Sequence, residues 1–305
     1  MMVAVLWTLL FACTEPDDFD LLDTDDAILP TQYLDGDCDP LVPTFCAFPF
    51  PSNAYLLDQQ PTVTGNAVNL PEGAFPTALG GQYLTGQYLN QSDGFSASGP
   101  ILVHLPKATT TGLADPDHIE DSLLSTSPTV VLDAETGEWI PHFAELDMST
   151  DVEDERAFII RPVVRLRDDA RYIVAIRNVV DELGQPLETS SAFAALRDDT
   201  DNEEESVGLR RDLYADIFEI LEAEGITIDE LQLAWDFNTA SRENNADAML
   251  QIRDAALAQY QAQSPKYAID DVVEDYDEDI AYKIEGRITV PLFLDEAGPG
   301  GVFVE

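Results

Sequence analysis

The stretch Arg171-Tyr-Ile-Val-Ala-Ile-Arg177 carries an unbroken apolar run, so both faces of an extended chain would be apolar there. A strand that is buried on both faces has this pattern, and the segment therefore predicts the central strand of a sheet. Further along, Leu231-Gln-Leu-Ala-Trp-Asp-Phe-Asn238 keeps its large apolar side chains on one face, with Gln232, Asp236 and Asn238 on the other. This alternation predicts a strand with one buried face.

Shorter apolar runs surround these two segments and are separated by turn residues. Asp133-Ala-Glu-Thr-Gly137 has the composition of a turn, and 282–294 is a long alternating segment that predicts a strand. Several short strands at this spacing are typical of a β-sandwich. The other predicted strands lie at 101–105, 129–132, 138–143 and 157–160.

Two segments have the spacing of amphipathic helices. Apolar residues recur at helical spacing from Leu213 to Leu221, and Gly225 predicts the C-terminal end. A second helix is predicted from 242 to 262, with a buried stripe made of Met249, Ile252, Ala256 and Tyr260. The predicted fold class is therefore mainly β with helical insertions (α+β), a β-sandwich with two amphipathic helices.

The composition is strongly acidic, which restricts the partners of the chain. Fifty-nine acidic residues face fifteen basic ones among 305 residues, for a net charge of -44. A field of this sign repels nucleic acid, so no nucleic acid partner is expected. The acids either bind divalent cations or keep the chain hydrated in salty surroundings, and their spread along the whole chain favours hydration. Residues 14–37 contain nine acids and no base, which predicts a flexible tether.

The first thirteen residues have the form of an export signal. An apolar run of about a dozen residues is too short to span a bilayer but fits the apolar region of a signal peptide. Leu10-Phe-Ala-Cys13 resembles the lipobox of bacterial lipoproteins, in which the cysteine is acylated and becomes the new N-terminus. Lipidation at Cys13 would anchor the exported chain in the cell envelope, and Thr14 in place of an acid favours the outer membrane. The alternative is an ordinary N-terminus with a buried apolar segment, since no Lys or Arg precedes the run.

The two remaining cysteines, Cys38 and Cys46, stand eight positions apart. In an oxidising compartment this pair predicts a small disulfide loop. Pro40 and Pro43 stiffen the loop and lower the entropy lost on closing it. The alternative is two free buried thiols. A zinc site is not expected, because no His or third Cys lies near.

No segment carries a catalytic or cofactor signature. Gly94-Phe-Ser-Ala-Ser-Gly99 comes nearest to a nucleophile elbow, but its second glycine is one position late and no apolar strand precedes it. A loop is therefore expected there. No H-E-x-x-H occurs, so His104, His118 and His142 fit structural or exposed positions better than metal ligation. We assign no catalytic, cofactor or metal residue.

Calcium is the better metal candidate because acids abound. Acids alternate at 35–39, 199–203 and 275–279, yet all three segments lack the Gly and Glu that an EF-hand loop needs at its sixth and twelfth positions. Patterns of this kind arise by chance in so acidic a chain.

A series of segments, in order along the chain, resembles a known family. The chain from 38 to 305 is similar to the N-terminal region of large secreted bacterial proteins, some of them lipoproteins, that carry an α/β-hydrolase (lipase or esterase-like) domain further on. The resemblance implies an Ig-like β region with helical insertions, whose last strand leads into the hydrolase. The segments are Cys38-Asp-Pro-Leu41, Cys46-Ala-Phe-Pro-Phe-Pro-Ser-Asn53, Asp93-Gly-Phe-Ser96, Phe143-Ala-Glu-Leu-Asp147, Ile160-Arg-Pro162, Arg171-Tyr-Ile-Val-Ala-Ile-Arg-Asn178 and Leu233-Ala-Trp-Asp-Phe237.

These observations give one domain organisation and two functional hypotheses. The first hypothesis is a membrane-anchored lipoprotein that forms the non-catalytic N-terminal part of a serine hydrolase, truncated before its catalytic domain. Since nothing matches the catalytic Ser, Asp or His of the family, this chain alone is not expected to be an enzyme. The alternative is a self-sufficient acidic binding or structural module, with or without calcium. The organisation is a lipoprotein signal at 1–13, an acidic tether at 14–37, an irregular wrap plus β-sandwich at 38–200, and a helix-strand-helix-strand segment at 201–305 that leads toward the hydrolase.

Overall fold

The computed structural model describes residues 38–71, 86–296, 301 and 303. The expectations for Cys13 and for the tether at 14–37 lie outside these residues. The strands are β1 Leu56–Asp58, β2 Asn66–Val68, β3 Ile101–His104, β4 Thr129–Asp133, β5 His142–Leu146, β6 Ala157–Pro162, β7 Arg171–Arg177, β8 Leu231–Asn238, β9 Tyr267–Glu274 and β10 Tyr282–Ile288. The α-helices are α1 Ser191–Arg197, α2 Glu205–Leu209, α3 Arg211–Ala223 and α4 Arg242–Ala262.

Two three-stranded antiparallel sheets form the centre of the molecule. One has the order β3-β6-β5, and the other has the order β4-β7-β8. β7 lies between its two neighbours, as its apolar run predicts, and Ile173 stands opposite Leu132 on one side and Asp236 on the other. The predicted class, mainly β with helices (α+β), is confirmed.

The two sheets contribute to a single hydrophobic cluster. Phe158 and Ile160 of β6 belong to it together with Val174 of β7 and Trp235 of β8, and each of these side chains is at most 2% exposed. Apolar side chains leave water when the strands pair, which is the main force that holds such a cluster together. We call strands β3–β8 with helices α1–α3 the β core.

Helices α1 and α3 close one side of the β core. The side chain of Ser190 caps the start of α1 by accepting from the backbone N–H of Phe193. α3 buries Tyr214, Ile217 and Leu221, the face that the sequence spacing predicts, and it ends just before Gly225. Gly225 has a φ of +79°, the left-handed conformation that glycine supplies at a helix end.

Helix α4 has the predicted bounds but not the predicted packing. No side chain of α4 is buried, and Met249 is 62% exposed, so the predicted buried stripe through Met249, Ile252, Ala256 and Tyr260 is wrong. Ile252, Ala256 and Tyr260 are half-buried and Met249 is exposed, so the described elements cover this stripe only in part. The predicted pair of amphipathic helices therefore reduces to one, α3, that buries an apolar face.

The strand predicted at 282–294 is shorter than its alternation suggests. β10 ends at Ile288, opposite Tyr267, the first residue of β9, and a single further backbone hydrogen bond follows, from the N–H of Thr289 to the carbonyl oxygen of Lys266 at 2.9 Å. No described helix is both long enough and apolar enough to cross a bilayer.

Candidate functional site

Cys38 and Cys46 form a disulfide, which confirms that prediction. The loop it closes is fixed to the helices by Asp39. The carboxylate of Asp39 accepts two hydrogen bonds from Nη1 of Arg210, at 2.9 and 3.1 Å, and one from the backbone N–H of Leu41 at 3.0 Å. Both charged side chains are at most 4% exposed, and Arg210 lies between α2 and α3. The disulfide loop and the helical segment are thus joined by a buried ion pair.

A cavity of about 240 Å³ lies beside this ion pair. Nδ2 of Asn53 donates to Oδ2 of Asp236 at 2.9 Å and to Oδ1 of Asn238 at 2.8 Å, which fixes the loop before β1 onto β8. Asn53 Oδ1 is buried and has no hydrogen-bond partner within the described residues. Leu41 and Trp235 supply apolar parts of the lining. The cavity therefore combines a few fixed polar groups with an apolar wall, the composition of a small-molecule site.

The charged groups around the cavity are neutralised by one another. Arg171 donates to Asp236 at 2.7 Å and to Asp216 at 2.5 Å. Burial raises the pKa of the Tyr55 and Tyr214 hydroxyls, so both remain protonated. The Tyr214 hydroxyl donates to the carbonyl oxygen of Ala234 at 2.8 Å. These ion pairs and the Tyr214 hydrogen bond hold the cavity wall together.

The segment Gly94-Phe-Ser-Ala-Ser-Gly99 has a structural role in the loop. Phe95 forms a bridge to Thr239, just past the end of β8. A Cβ on Gly94 would lie 2.6 Å from the backbone nitrogen of Ala240, so only glycine permits this approach. Ser96 is exposed, and its Oγ accepts from the backbone N–H of Ser98 at 3.2 Å. The segment is a loop that packs against the residues that follow β8.

The three histidines are held in separate places. His104 contacts the Thr44 hydroxyl at 2.7 Å and the Asp154 carbonyl oxygen at 2.6 Å. His118 lies at the surface beside Asp115, whose carboxylate raises the pKa of the imidazole.

His142 is fully buried between strands. It contacts the Thr129 hydroxyl at 2.8 Å and the Ile140 carbonyl oxygen at 2.7 Å, and burial lowers its pKa. Its two ring nitrogens are thus engaged by the protein. His118 thus contacts a carboxylate, whereas the rings of His104 and His142 contact hydroxyl and carbonyl oxygens.

The acidic segments that alternate like calcium loops do not converge. Across 38–71 and 86–296, no three His, Cys, Asp or Glu side chains approach one another closely enough to hold a metal ion. At the third segment, Oδ1 of Asp277 accepts from the backbone N–H groups of Asp279 and Ile280, at 2.9 and 2.8 Å. This carboxylate stabilises the turn between β9 and β10.

A second candidate surface lies beyond the β core, on residues 242–288, which we call the arm. The start of the arm is fixed to the loop that contains Asp93 and Gly94. The carboxylate of Asp93 accepts from the backbone N–H of Ser241 at 3.0 Å, and Ser241 caps α4 by accepting from Asn244 at 3.0 Å. Asn245 also donates to Asp168 at 3.1 Å. Beyond the first turn of α4, the arm continues to β9 and β10, and every residue of these two strands is exposed.

The hairpin of β9 and β10 is amphipathic, although its sequence does not alternate regularly. The pairing register shifts between Glu285 and Gly286, so Asp270 is an extra residue in β9. This bulge brings Ile269 and Val272, three positions apart, onto the same face. A Cβ on Gly286 would lie 2.6 Å from the Ala268 carbonyl oxygen, so the bulge requires glycine opposite it.

The resulting apolar face is uncovered. Its six large side chains are between 46% and 74% exposed, and cross-strand pairing places them together. The opposite face is mostly charged, with Lys283 paired to Glu285 at 2.6 Å and Arg287 paired to Asp270 at 2.8 Å. The apolar hairpin face consists of Tyr267, Ile269, Val272, Tyr282, Ile284 and Ile288.

The turn at the tip of the hairpin is acidic. It carries four carboxylates, and the whole hairpin from 267 to 288 has eight acids against Lys283 and Arg287. An exposed apolar patch with a charged border is typical of a protein interaction site. The tip acids are Asp275, Asp277, Glu278 and Asp279.

No family model matches this chain, and no curated protein or solved structure is significantly similar to it.

Proposed function

We propose that this chain is the non-catalytic N-terminal part of an exported, lipid-anchored, hydrolase-like protein, in which it positions a serine hydrolase domain that follows in cis. The observation that carries the proposal is the uncovered apolar hairpin face on the arm. A sheet that is apolar on one face buries that face against another layer of structure. The β core buries its own hydrophobic cluster without the hairpin face, which supports a covering layer that comes from another domain.

The order of the segments supports this assignment. In the family that the sequence resembles, an Ig-like region precedes the hydrolase, and the two three-stranded sheets fit the two layers of an Ig-like sandwich. The arm follows the last strand of these sheets along the chain, which is where such a region would meet the catalytic domain.

The disulfide supports export. Disulfides persist in oxidising compartments, and Cys38–Cys46 is closed. In the proposal, Cys13 carries the lipid and residues 14–37 span the distance between the outer membrane and the β core.

The proposal predicts that this chain alone does not hydrolyse esters. Within the described residues, the hydroxyl of Ser96 contacts its own loop, and the histidines contact hydroxyl and backbone oxygens or Asp115. A purified chain that turned over a p-nitrophenyl ester, and lost this activity on Ser96→Ala, would contradict it.

The decisive experiment examines the native polypeptide. An antiserum raised against this chain should precipitate, from the envelope of the source organism, a polypeptide well above 33.5 kDa that reacts with a fluorophosphonate probe of serine hydrolases. Labelling with a palmitate analogue should be lost on Cys13→Ser. A single polypeptide of the mass of this chain, inert to fluorophosphonate, would overturn the assignment.

The second candidate, a self-sufficient acidic binding module, is favoured by the cavity beside Asn53, Arg210 and Asp236. A small polar ligand that donates a hydrogen bond would satisfy Asn53 Oδ1. This candidate predicts that such a ligand, found by thermal-shift screening, raises the melting temperature of the chain and that Asn53→Leu abolishes the shift. If calcium has a part in it, EDTA at constant ionic strength should lower the melting temperature.

A further inference from the structure

The apolar hairpin face has the dimensions of a docking site for a helix. β10 has seven residues, so the face is about 23 Å long at the rise of an antiparallel strand. A helix of about 15 residues has the same length. A two-stranded hairpin is only marginally stable in water until it packs against a helix or gains further strands. The face therefore needs a covering element of this size.

The charges around the face restrict what can cover it. Eight acids and two bases lie between 267 and 288, and four of the acids stand at the tip. A second copy of this chain would bring the same acids and a net charge of -44 toward the face. Like charges brought together oppose association, whereas basic groups beside the tip would favour it.

We propose that the apolar hairpin face docks an amphipathic helix whose apolar stripe is bordered by Lys and Arg residues. The helix is supplied by the hydrolase domain in cis, and in this respect alone the inference rests on the proposed function. Its apolar stripe covers Val272, Ile284 and Ile288, and its basic border lies over the acidic tip. The docking chemistry itself depends only on the described hairpin.

The test uses the purified chain and two synthetic helical peptides of about 15 residues. Both peptides carry one stripe of Leu, bordered by Lys in the first peptide and by Glu in the second. The chain is compared with two variants, Ile284→Asp and Val273→Asp. Val273 lies on the opposite face of the same hairpin, one position from Val272, the partner of Ile284. Each variant replaces an apolar residue by Asp, so the two variants have the same net charge.

The Lys-bordered peptide should bind the unaltered chain, and the Glu-bordered peptide should not. Ile284→Asp should weaken binding of the Lys-bordered peptide about tenfold or more, because it places a charge in the centre of the covered face. Val273→Asp should leave the affinity within about twofold. Ile284→Thr keeps a strand-forming residue and should weaken binding by a smaller factor, which separates loss of contact from loss of the hairpin.

Three results would overturn the inference. Equal binding by the two Asp variants would mean that the peptide is held by net charge alone. Binding of the Glu-bordered peptide would show that docking does not require Lys and Arg beside the apolar stripe. A dimer in sedimentation experiments that is dispersed by Ile284→Asp but not by Val273→Asp would assign the face to a second copy.

The source of the helix is tested separately on the longer envelope polypeptide. Ile284→Asp, but not Val273→Asp, should accelerate proteolytic release of the fluorophosphonate-labelled domain. If the labelled polypeptide is absent while the peptide results hold, the cis source and the proposed function fail. If the labelled polypeptide is present while the two variants behave alike, the docking chemistry fails and the proposed function stands.

Discussion

The sheet β4-β7-β8 and the hairpin β9-β10 are both antiparallel, and both gather large apolar residues by strand pairing. In the first, every residue of β4 is buried. In the second, every residue of both strands is exposed. The difference lies in what surrounds each one, since the three-stranded sheet shares a cluster with a second sheet and three helices. Alternation therefore indicates which face is to be covered, and the rest of the molecule decides whether it is.

The largest expected difference is between the buried ion pair that joins the disulfide loop to the helices of the β core and an exposed ion pair of the arm. Arg210→Met leaves the carboxylate of Asp39 buried without its guanidinium partner, and we expect the free energy of unfolding to fall by about 3–5 kcal/mol. The matched change in the arm, Arg287→Met, breaks an exposed pair with Asp270 and should leave the unfolding midpoint unchanged. Urea denaturation followed by tryptophan fluorescence measures both. Equal losses would mean that the arm is as much a part of the cooperative unit as the β core.

Apolar side chains should show the same contrast. Ile173→Ala creates a cavity in the centre of β7 and should cost about 2–5 kcal/mol. Ile284→Ala, on the uncovered hairpin face, should leave the midpoint of the main unfolding transition unchanged. Chemical denaturation of the two variants gives the comparison, and a large effect of Ile284→Ala would show that the face is already covered in the isolated chain.

The disulfide should stabilise the β core and not the arm. Replacing both Cys38 and Cys46 by Ser should lower the free energy of unfolding by about 2–3 kcal/mol, the chain-entropy value for so short a loop. Amide hydrogen exchange in β9 and β10 should stay the same, because the loop is joined to α2 and α3 through Asp39. Faster exchange in the hairpin of the double variant would show that the loop also supports the arm.

The smallest expected effect is a dependence on pH of the free energy of unfolding of the β core. Burial lowers the pKa of His142, so the unfolded chain binds a proton at His142 that the folded chain does not. The stability is therefore complete above the unfolded pKa, near 6.5, and decreases as the pH falls below it, by about 1.4 kcal/mol per pH unit until the folded pKa is reached. His142→Gln should flatten this decrease below about pH 6.5. Denaturation curves for both proteins at matched ionic strength measure the change, and parallel slopes would count against His142.

Local patterns in the sequence were sufficient for several elements. The bounds of β7, β8 and α4 follow from apolar runs, alternation and helical spacing that the structure keeps. β9 was missed, because the bulge at Asp270 places two acids in succession and hides the alternation until the partner strand is known. The predicted burial of the α4 stripe is wrong for a related reason. Helical spacing indicates which face of a helix is apolar, but not whether another element packs against that face.

The candidate sites were harder to predict because they join distant parts of the chain. Asp39 and Arg210 are 171 positions apart, and nothing in either neighbourhood marks them as partners. The one available signal was the position of Asp39 beside Cys38, inside a loop that the disulfide was expected to fix. Asn53 and Asp236 are likewise 183 positions apart and meet only after β8 is in place.

The hairpin has a further consequence for the handling of the protein. Among the described strands, β9 and β10 pair only with each other, so each leaves one row of backbone N–H and C=O groups available to another chain. At neutral pH, repulsion between carboxylates keeps such rows apart. Near the isoelectric point, about 4.1, that repulsion vanishes. Acidified solutions should therefore precipitate through hairpins that stack edge to edge.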